Sequence, residues 1–504
     1  MLFKNTAAQS ANLLSAYLFS LLLAPLMLSR LGLVNFGVWA VTGALATYMG
    51  LADFGITRSL ARFVAIYDVQ GDRRAIAECI GLGLLAITAV TMVAVAAALL
   101  TPPLFAGSLH VIGVGQLRLV LLCSVFIFSF TSYRRVLNAV EVGLRRMVPP
   151  NVANVFTNVV NFAFSVAALL IHPTLVAYGV ANALSYLIGV GAALASVRHV
   201  WGSVPVAWPG RARAKEIGGF GIKAQVHGLA DIINLQTDKL ILAFVVGVRA
   251  TASYEIASRV VLAIRSIGIL SISAMIPTFA AYIAQHGRQA IPRLYRRYTG
   301  MTVALAFPVS VLASITAPLL LKAWLAHVPE HAAAVVVCLT LVYLGNFTCE
   351  VGMNIATGDG RPGLVASNSI VAAGCNVLLT VALAPLFGFW GVIAGTAVAL
   401  ALGSALFVVR FHRAYGMPLM DYLRAVAAPA LLSLGLGAVL ALWRPIFGWQ
   451  DVSRLQAGLA VLLLTAAYGV VYWPLASHMR MLPRRLSLRL AVPRRAAAGS
   501  RTGP

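Results

Sequence analysis

The sequence predicts an all-α integral membrane protein. It reads as about 14 transmembrane helices, in two six-helix lobes forming a parallel pseudo-twofold repeat plus two C-terminal helices. Three observations carry this: the apolar composition, the count of span-length apolar stretches, and an internal self-match at an offset of about 215 residues.

Of the 504 residues 60% are hydrophobic and 10% charged, and the mean hydropathy is +0.89. Soluble domains carry roughly a quarter charged residues. One globular core cannot hide this much apolar surface, so lipid must solvate it, which excludes a soluble enzyme. The net charge of +24 would suggest nucleic acid in a soluble protein. Here roughly 28 of the 38 Lys and Arg fall in alternate loops and the tail, against about six on the other side. That asymmetry accounts for the charge, and no nucleic-acid partner is implied.

A span needs about 20 mostly apolar residues. Such stretches lie near 7–29, 36–57, 79–101, 117–138, 152–171, 174–197, 218–246, 251–285, 299–321, 332–356, 363–386, 389–410, 424–443 and 456–478. The first apolar run exceeds the 7–15 residues typical of a signal-peptide core, so it reads as an uncleaved span. The basic segments Arg58 to Glu78, Arg134 to Arg146, Arg198 to Glu216, Arg288 to Arg297, Arg361 and Arg410 to Arg424 then lie in the cytoplasm. Both termini join them there. The Arg-rich tail reads as a solvated cytoplasmic segment, with anionic headgroups as a second reading. The five cysteines show no metal-ligand or disulfide pattern and read as packing residues.

At the 215-residue offset, Ala65, Tyr67, Gln70, Arg73, Ala75 and Ile76 meet Ala280, Tyr282, Gln285, Arg288, Ala290 and Ile291. Gly32 falls on Gly247, Trp39 on Tyr254, Arg146 on Arg361 and Asn161 on Asn376. Six intervening spans make equivalent helices parallel. The expected units are a lobe over 1–200, a basic linker over 201–217, a second lobe over 218–413, two further helices over 414–478, and a basic tail over 479–504. Two such lobes imply a central cavity and alternating access.

Polar residues in hydrocarbon are costly, so their placement is informative. On the seventh span Lys223, His227, Asp231, Asn234 and Asp238 fall within an arc of about 80°. The eighth carries Glu255, Ser258, Arg259, Arg265 and Ser266, and the tenth Asn346, Glu350 and Asn354. Asn12 belongs to a sparse stripe on the first span; Asn151, Asn154, Asn158 and Asn161 form one on the fifth. The Asn stripes have two open readings, cavity lining for sugar hydroxyls or helix glue. The charged stripes favour a hydrated cavity, because several charges are hard to bury in a dry interface. Lys223, Arg259 and Arg265 are the expected anion-holding groups, Arg being suited to bidentate phosphate contact. Glu255 and Arg259, at i,i+4, can pair within the helix, whereas Arg265 has no such local partner. His227, Asp231, Asp238, Glu255, Glu350 and Asp53 are candidate charge partners or coupling groups. No Walker motif is present. Energy is therefore expected from an ion gradient, the membrane potential or product removal. No cofactor, metal or catalytic residue is expected. The opposite loops are short, which counts against a polymerase or ligase.

The stretches LSRLGLVNFGVW (Leu28 to Trp39), LADFGITRSLARFVAIYDVQGDRR (Leu51 to Arg74), and ATGDGRPGLVASN through LAPLFGFWGVIAGTAVA (Ala356 to Ala399) resemble Wzx-type polysaccharide flippases. These belong to the superfamily that also holds multidrug and toxin extruders and lipid II flippases. The resemblance implies an undecaprenyl-pyrophosphate-linked oligosaccharide as cargo, carried from the cytoplasmic to the periplasmic leaflet of the bacterial inner membrane. It also implies a cationic cavity, membrane lipids as surroundings, and polysaccharide polymerase or export machinery as partners. The alternative it leaves is a cation-coupled drug extruder using an acid such as Asp231 or Glu350.

Overall fold

The computed structural model describes residues 2–50, 55–103, 113–202, 206–273, 276–442 and 452–479, with Met481. The described chain is helical throughout: α1 (Leu2–Met49), α2 (Ile56–Gln70), α3 (Arg73–Leu100), α4 (Val114–Gly143), α5 (Val148–Ile171), α6 (Leu175–Trp201) and α7 (Arg211–Val245) come first. Then follow α8 (Val248–Ser273), α9 (Ile276–His286), α10 (Ile291–Trp324), α11 (Ala332–Gly358), α12 (Pro362–Ala414), α13 (Leu419–Leu442) and α14 (Arg454–His478).

Among the described residues ten helices are long and apolar enough to cross a membrane. Two of them are double. Gly32 (φ 79) breaks α1 and Gly388 (φ 55) breaks α12, both at a backbone conformation that glycine adopts without strain. Each arm is then about one bilayer long. With both arms of each double helix counted, and with the more charged α7 and α8, the described residues hold fourteen helical segments of about spanning length.

Some local expectations change. The basic segment after the second span is the helix α2, ended by Gly71 (φ 71), whose neighbour Asp72 caps α3 by accepting from the Ala75 amide at 2.8 Å. The apolar run over 251–285 is two helices, α8 and α9. The helix α4 continues to Gly143, which places Arg134 inside a helix rather than in a loop.

Two prolines inside helices serve packing. A proline lacks the N–H that would bond the carbonyl four residues earlier. Pro25 thereby frees Leu21 O, which accepts from Trp324 Nε1 at 2.8 Å. Pro308 frees Ala304 O, which accepts from the Tyr472 hydroxyl at 2.7 Å and ties α14 to α10.

The buried residues form three main clusters. One holds α2, α3, α4 and α6 together, with Ile217 of α7 inserted among them. A second holds α9, α10, α11 and α12. The third joins the two halves, with residues from α1, α4, α6, α8, α10 and α11. The halves also meet backbone to backbone at two glycines. A Cβ on Gly37 would stand 2.2 Å from Val248 O, and one on Gly55 would stand 2.1 Å from Gly221 O. Of these two pinch points, Gly37 lies near the start of the second arm of α1, and Gly55 caps the start of α2.

Candidate functional site

A cavity of about 170 Å³ opens among α1, α5, α6 and α8. That volume holds several waters. Ala16, Phe19, Ser20 and Leu23 supply the α1 wall, Asn158 and Asn161 the α5 wall, Tyr178 and Tyr186 the α6 wall, and Arg259 of α8 closes the fourth side. Both halves of the chain therefore contribute, and three of the expected site residues (Asn158, Asn161 and Arg259) meet here.

Arg259 is held from three directions. Its Nε donates to Glu255 Oε1 at 3.1 Å, its Nη1 donates to Ser20 O at 3.3 Å, and its guanidinium carbon lies 5.0 Å from the Phe36 ring centroid. Glu255 is shared, because Lys239 Nζ reaches its other oxygen at 2.7 Å. These side chains are at most 18% exposed. The triplet carries one net positive charge in a region of reduced dielectric, where a charge acts more strongly than in water.

Sequence reasoning missed Lys239, which lies one residue off the expected stripe on α7. A signal was available. Gly247 (φ 120) turns α7 back into α8, and Lys239 and Glu255 each lie eight residues from it, hence at the same level of the hairpin. The same turn sets Asp238 against Tyr254.

The Asn stripes bond helices together and also touch the cavity. Asn158 Nδ2 donates to Ser15 Oγ at 2.9 Å and to Asn12 Oδ1 at 3.3 Å, and Asn12 Nδ2 donates to Asn151 Oδ1 at 3.2 Å. Asn161 Nδ2 donates to Asn182 Oδ1 and to Ser185 Oγ, each at 2.8 Å. Asn154 Oδ1 accepts from Asn138 Nδ2 at 3.1 Å. Asn12 and Asn154 are used in these bonds and are not among the lining residues.

Arg265 has a partner on another helix: Glu350 Oε1 of α11 lies 3.7 Å from its Nη2, and the Tyr343 centroid 5.0 Å from its guanidinium carbon. It does not line the cavity. Asp238 is fully buried within the second half, its Oδ2 accepting from the Tyr254 hydroxyl at 2.7 Å and the Thr396 hydroxyl at 2.8 Å. Its Oδ1 has no partner. Asp53 lies outside the described residues, as do the side chains of Lys223, His227 and Asp231, whose backbones belong to α7. Among the described residues no three His, Cys, Asp or Glu gather as metal ligands.

A search of curated proteins finds no match. Solved structures share the fold. A lipid II flippase, MurJ, in an inward closed conformation, superposes with a TM-score of 0.69 at 13% identity, covering 93% of this chain and 99% of that one. A multidrug resistance MATE family transporter of the MOP superfamily, facing inward, gives 0.66 at 13% identity, covering 80% and 94%. The Vibrio cholerae MATE transporter VcmN in its bent form gives 0.54 at 15% identity, covering 83% and 97%. A family model described as "Polysaccharide biosynthesis protein" matches residues 2–283, more than half of the chain. This multi-pass membrane protein, with the fold of the flippases and extruders, belongs to the polysaccharide biosynthesis protein family.

Proposed function

We propose that the protein is a flippase, not an enzyme, carrying a lipid-linked oligosaccharide repeat unit across the bacterial inner membrane by alternating access. The observation that carries the reading is the cavity itself. Its first-half walls offer amides and hydroxyls suited to sugar, and its second-half wall offers Arg259, backed by the Lys239–Glu255 pair and suited to a phosphate. In a polysaccharide biosynthesis family this pairing fits an undecaprenyl-pyrophosphate-linked glycan. The side chains of Lys223, His227 and Asp231, on the same face of α7, are further cavity groups in this reading. Arg265 with Glu350 is a second charge pair along the route.

The lobe boundaries over 1–200 and 218–413 belong to the same proposal. Positive-φ positions recur at the expected spacing, with Gly32 and Gly247, and Arg145 and Gly360, each 215 residues apart. Rocking the lobes would open one pinch point at a time. The bonds to break at one end are Trp324 Nε1 to Leu21 O and Arg259 Nη1 to Ser20 O; at the other it is Gln225 Nε2 to Gly50 O at 3.0 Å. Among the described residues the Tyr48 and Thr237 hydroxyls also meet, and the apolar cluster that joins the halves has to repack as they rock. The excess of Lys and Arg in alternate loops supports a cytoplasmic position for both termini.

One observation favours a second reading. Asp238, fully buried with one unpartnered oxygen, is the kind of group a cation-coupled transporter uses, and the fold is shared with drug extruders. The two readings separate on deletion of the gene. Lipid-linked repeat units accumulating on the cytoplasmic face, with loss of surface polymer, establish the flippase. Untouched glycans with new sensitivity to cationic drugs establish the extruder.

A further inference from the structure

We propose that Arg134 is a second anion-holding residue of the cavity and reads the second phosphate of a pyrophosphate-linked cargo. The inference rests on the flippase reading and adds to it a residue that lies outside the cationic stripes.

Arg134 is carried into the interior because α4 continues well past the apolar stretch. Its guanidinium carbon lies 5.5 Å from the centroid of Tyr186 on α6. Its Nη1 is shut off from solvent and has no hydrogen-bond partner, and among the described residues no carboxylate pairs with it. Arg259 faces Glu255, Arg265 faces Glu350 and Arg213 faces Glu78. Arg118 and Arg410 share with Arg134 a buried donor without a partner, and Arg134 is set apart by its contact with Tyr186. Glu141, the nearest acid on α4, is two turns away, and its Oε1 accepts from Ser196 Oγ at 2.6 Å. An unpaired guanidinium with a buried, unused donor is costly unless something else completes it.

Arg134 is not itself a lining residue and stands behind Tyr186, which lines the cavity with Asn158, Asn161 and Arg259. One helical turn beyond Arg134, Asn138 donates to Asn154 while its buried Oδ1 has no partner. A free donor of charged type and a free acceptor thus stand a turn apart on α4. A phosphate oxygen would satisfy the first and a sugar hydroxyl the second.

The charge balance selects the headgroup. The Lys239–Glu255–Arg259 triplet contributes one excess positive charge from the second half of the chain. Arg134 contributes another from the first half. These two excess charges, counted among the described residues, match a pyrophosphate diester, which carries two negative charges, better than a monophosphate diester, which carries one. A cargo held from both halves would also bias the rocking of one half against the other.

The test is binding of two diesters, a farnesyl pyrophosphate-linked sugar and a farnesyl monophosphate-linked sugar, to the purified full chain in detergent. Arg134→Gln, Arg134→Lys and Arg259→Gln are compared with wild type. Wild type should prefer the pyrophosphate. Arg134→Gln should weaken pyrophosphate binding by about tenfold or more, leave monophosphate binding nearly unchanged, and so erase the preference. Arg134→Lys keeps the charge without the fork and should retain part of the preference, which also serves if the Gln variant is poorly folded. Wild-type preference surviving in Arg134→Gln, with binding lost in Arg259→Gln, would overturn this inference and leave the flippase reading intact. A wild type that does not distinguish the two lipids would overturn the two-cation assignment, and the deletion phenotype would still decide the transport reading on its own.

Discussion

Replacing Glu255 by Gln isolates the electrostatics of the cavity wall. The carboxylate stands between Lys239 Nζ at 2.7 Å and Arg259 Nε at 3.1 Å, and none of the three side chains is more than 18% exposed. Two cations that share one carboxylate lie roughly 5 Å apart. With an effective dielectric of about 20, their unshielded repulsion comes to about 3 kcal/mol. That agrees with the 3–5 kcal/mol expected when one partner of a buried ion pair is removed. The amide of Gln still accepts one hydrogen bond, which places the net loss near the lower end. The variant should therefore melt earlier than wild type in detergent. It should also gain more from an added anion, because the triplet then carries two positive charges rather than one. Pyrophosphate at about 100 times its Kd should return about 2.7 kcal/mol. The assay is thermal unfolding of both proteins across a pyrophosphate titration. An unchanged midpoint without ligand, together with an anion-induced shift no larger than that of wild type, would refute the triplet as the source of the cavity's charge.

Gly37→Ala puts a Cβ within 2.2 Å of Val248 O, a backbone atom that cannot swing aside. Labelling of a Ser20→Cys reporter, in a background without the native cysteines, should therefore rise from the side that this contact closes. Trp324→Phe removes the donor to Leu21 O and should produce the same shift at a cost of about 1–2 kcal/mol to the closed form, seen as faster labelling of the same reporter. Asp238→Asn keeps an acceptor for Tyr254 and Thr396 but cannot ionise; the protein should melt no lower than wild type and lose ion-dependent transport, and full gradient-dependent transport in this variant would remove Asp238 from coupling. Cysteine labelling beyond Arg480 should place the tail in the cytoplasm; labelling from outside would break the topology.

The fold was legible because lipid imposes a length rule. An apolar stretch of about 20 residues has few alternatives to a spanning helix, and the stretches in this sequence predicted every pass, including the charged α7 and α8. Gly32 and Gly247 were readable as equivalent turns because both sit between apolar runs. Boundaries failed where a helix outlasts its apolar segment. Arg134 looked like the start of a loop because hydropathy ends there, while the hydrogen-bond ladder of α4 continues to Gly143. The site was legible in part. Helical spacing put Asn158 and Asn161 on one face and pointed to Arg259, and the cavity uses all three. It could not show that Asn12 and Asn154 are consumed in bonds to neighbouring helices, nor that Glu350 would neutralise Arg265. Those outcomes depend on which helices become neighbours, and a period along one helix carries no information about that. Tyr178 and Tyr186 passed unnoticed for a related reason: an aromatic in an apolar span looks the same whether it faces lipid or water.

Pro25 touches neither Trp324 nor Arg259 as a partner, yet it determines whether Trp324 has anything to grip. With an N–H at position 25, the Leu21 carbonyl would be occupied inside its own helix, and the indole would compete for an acceptor already in use. The strength of this fastening is thus tuned from a position inside one helix, by a change that leaves both fastened surfaces intact. Substitutions at Pro25 would act as a dial on the lifetime of the closed form, and a screen for altered transport speed should recover them alongside changes in the cavity.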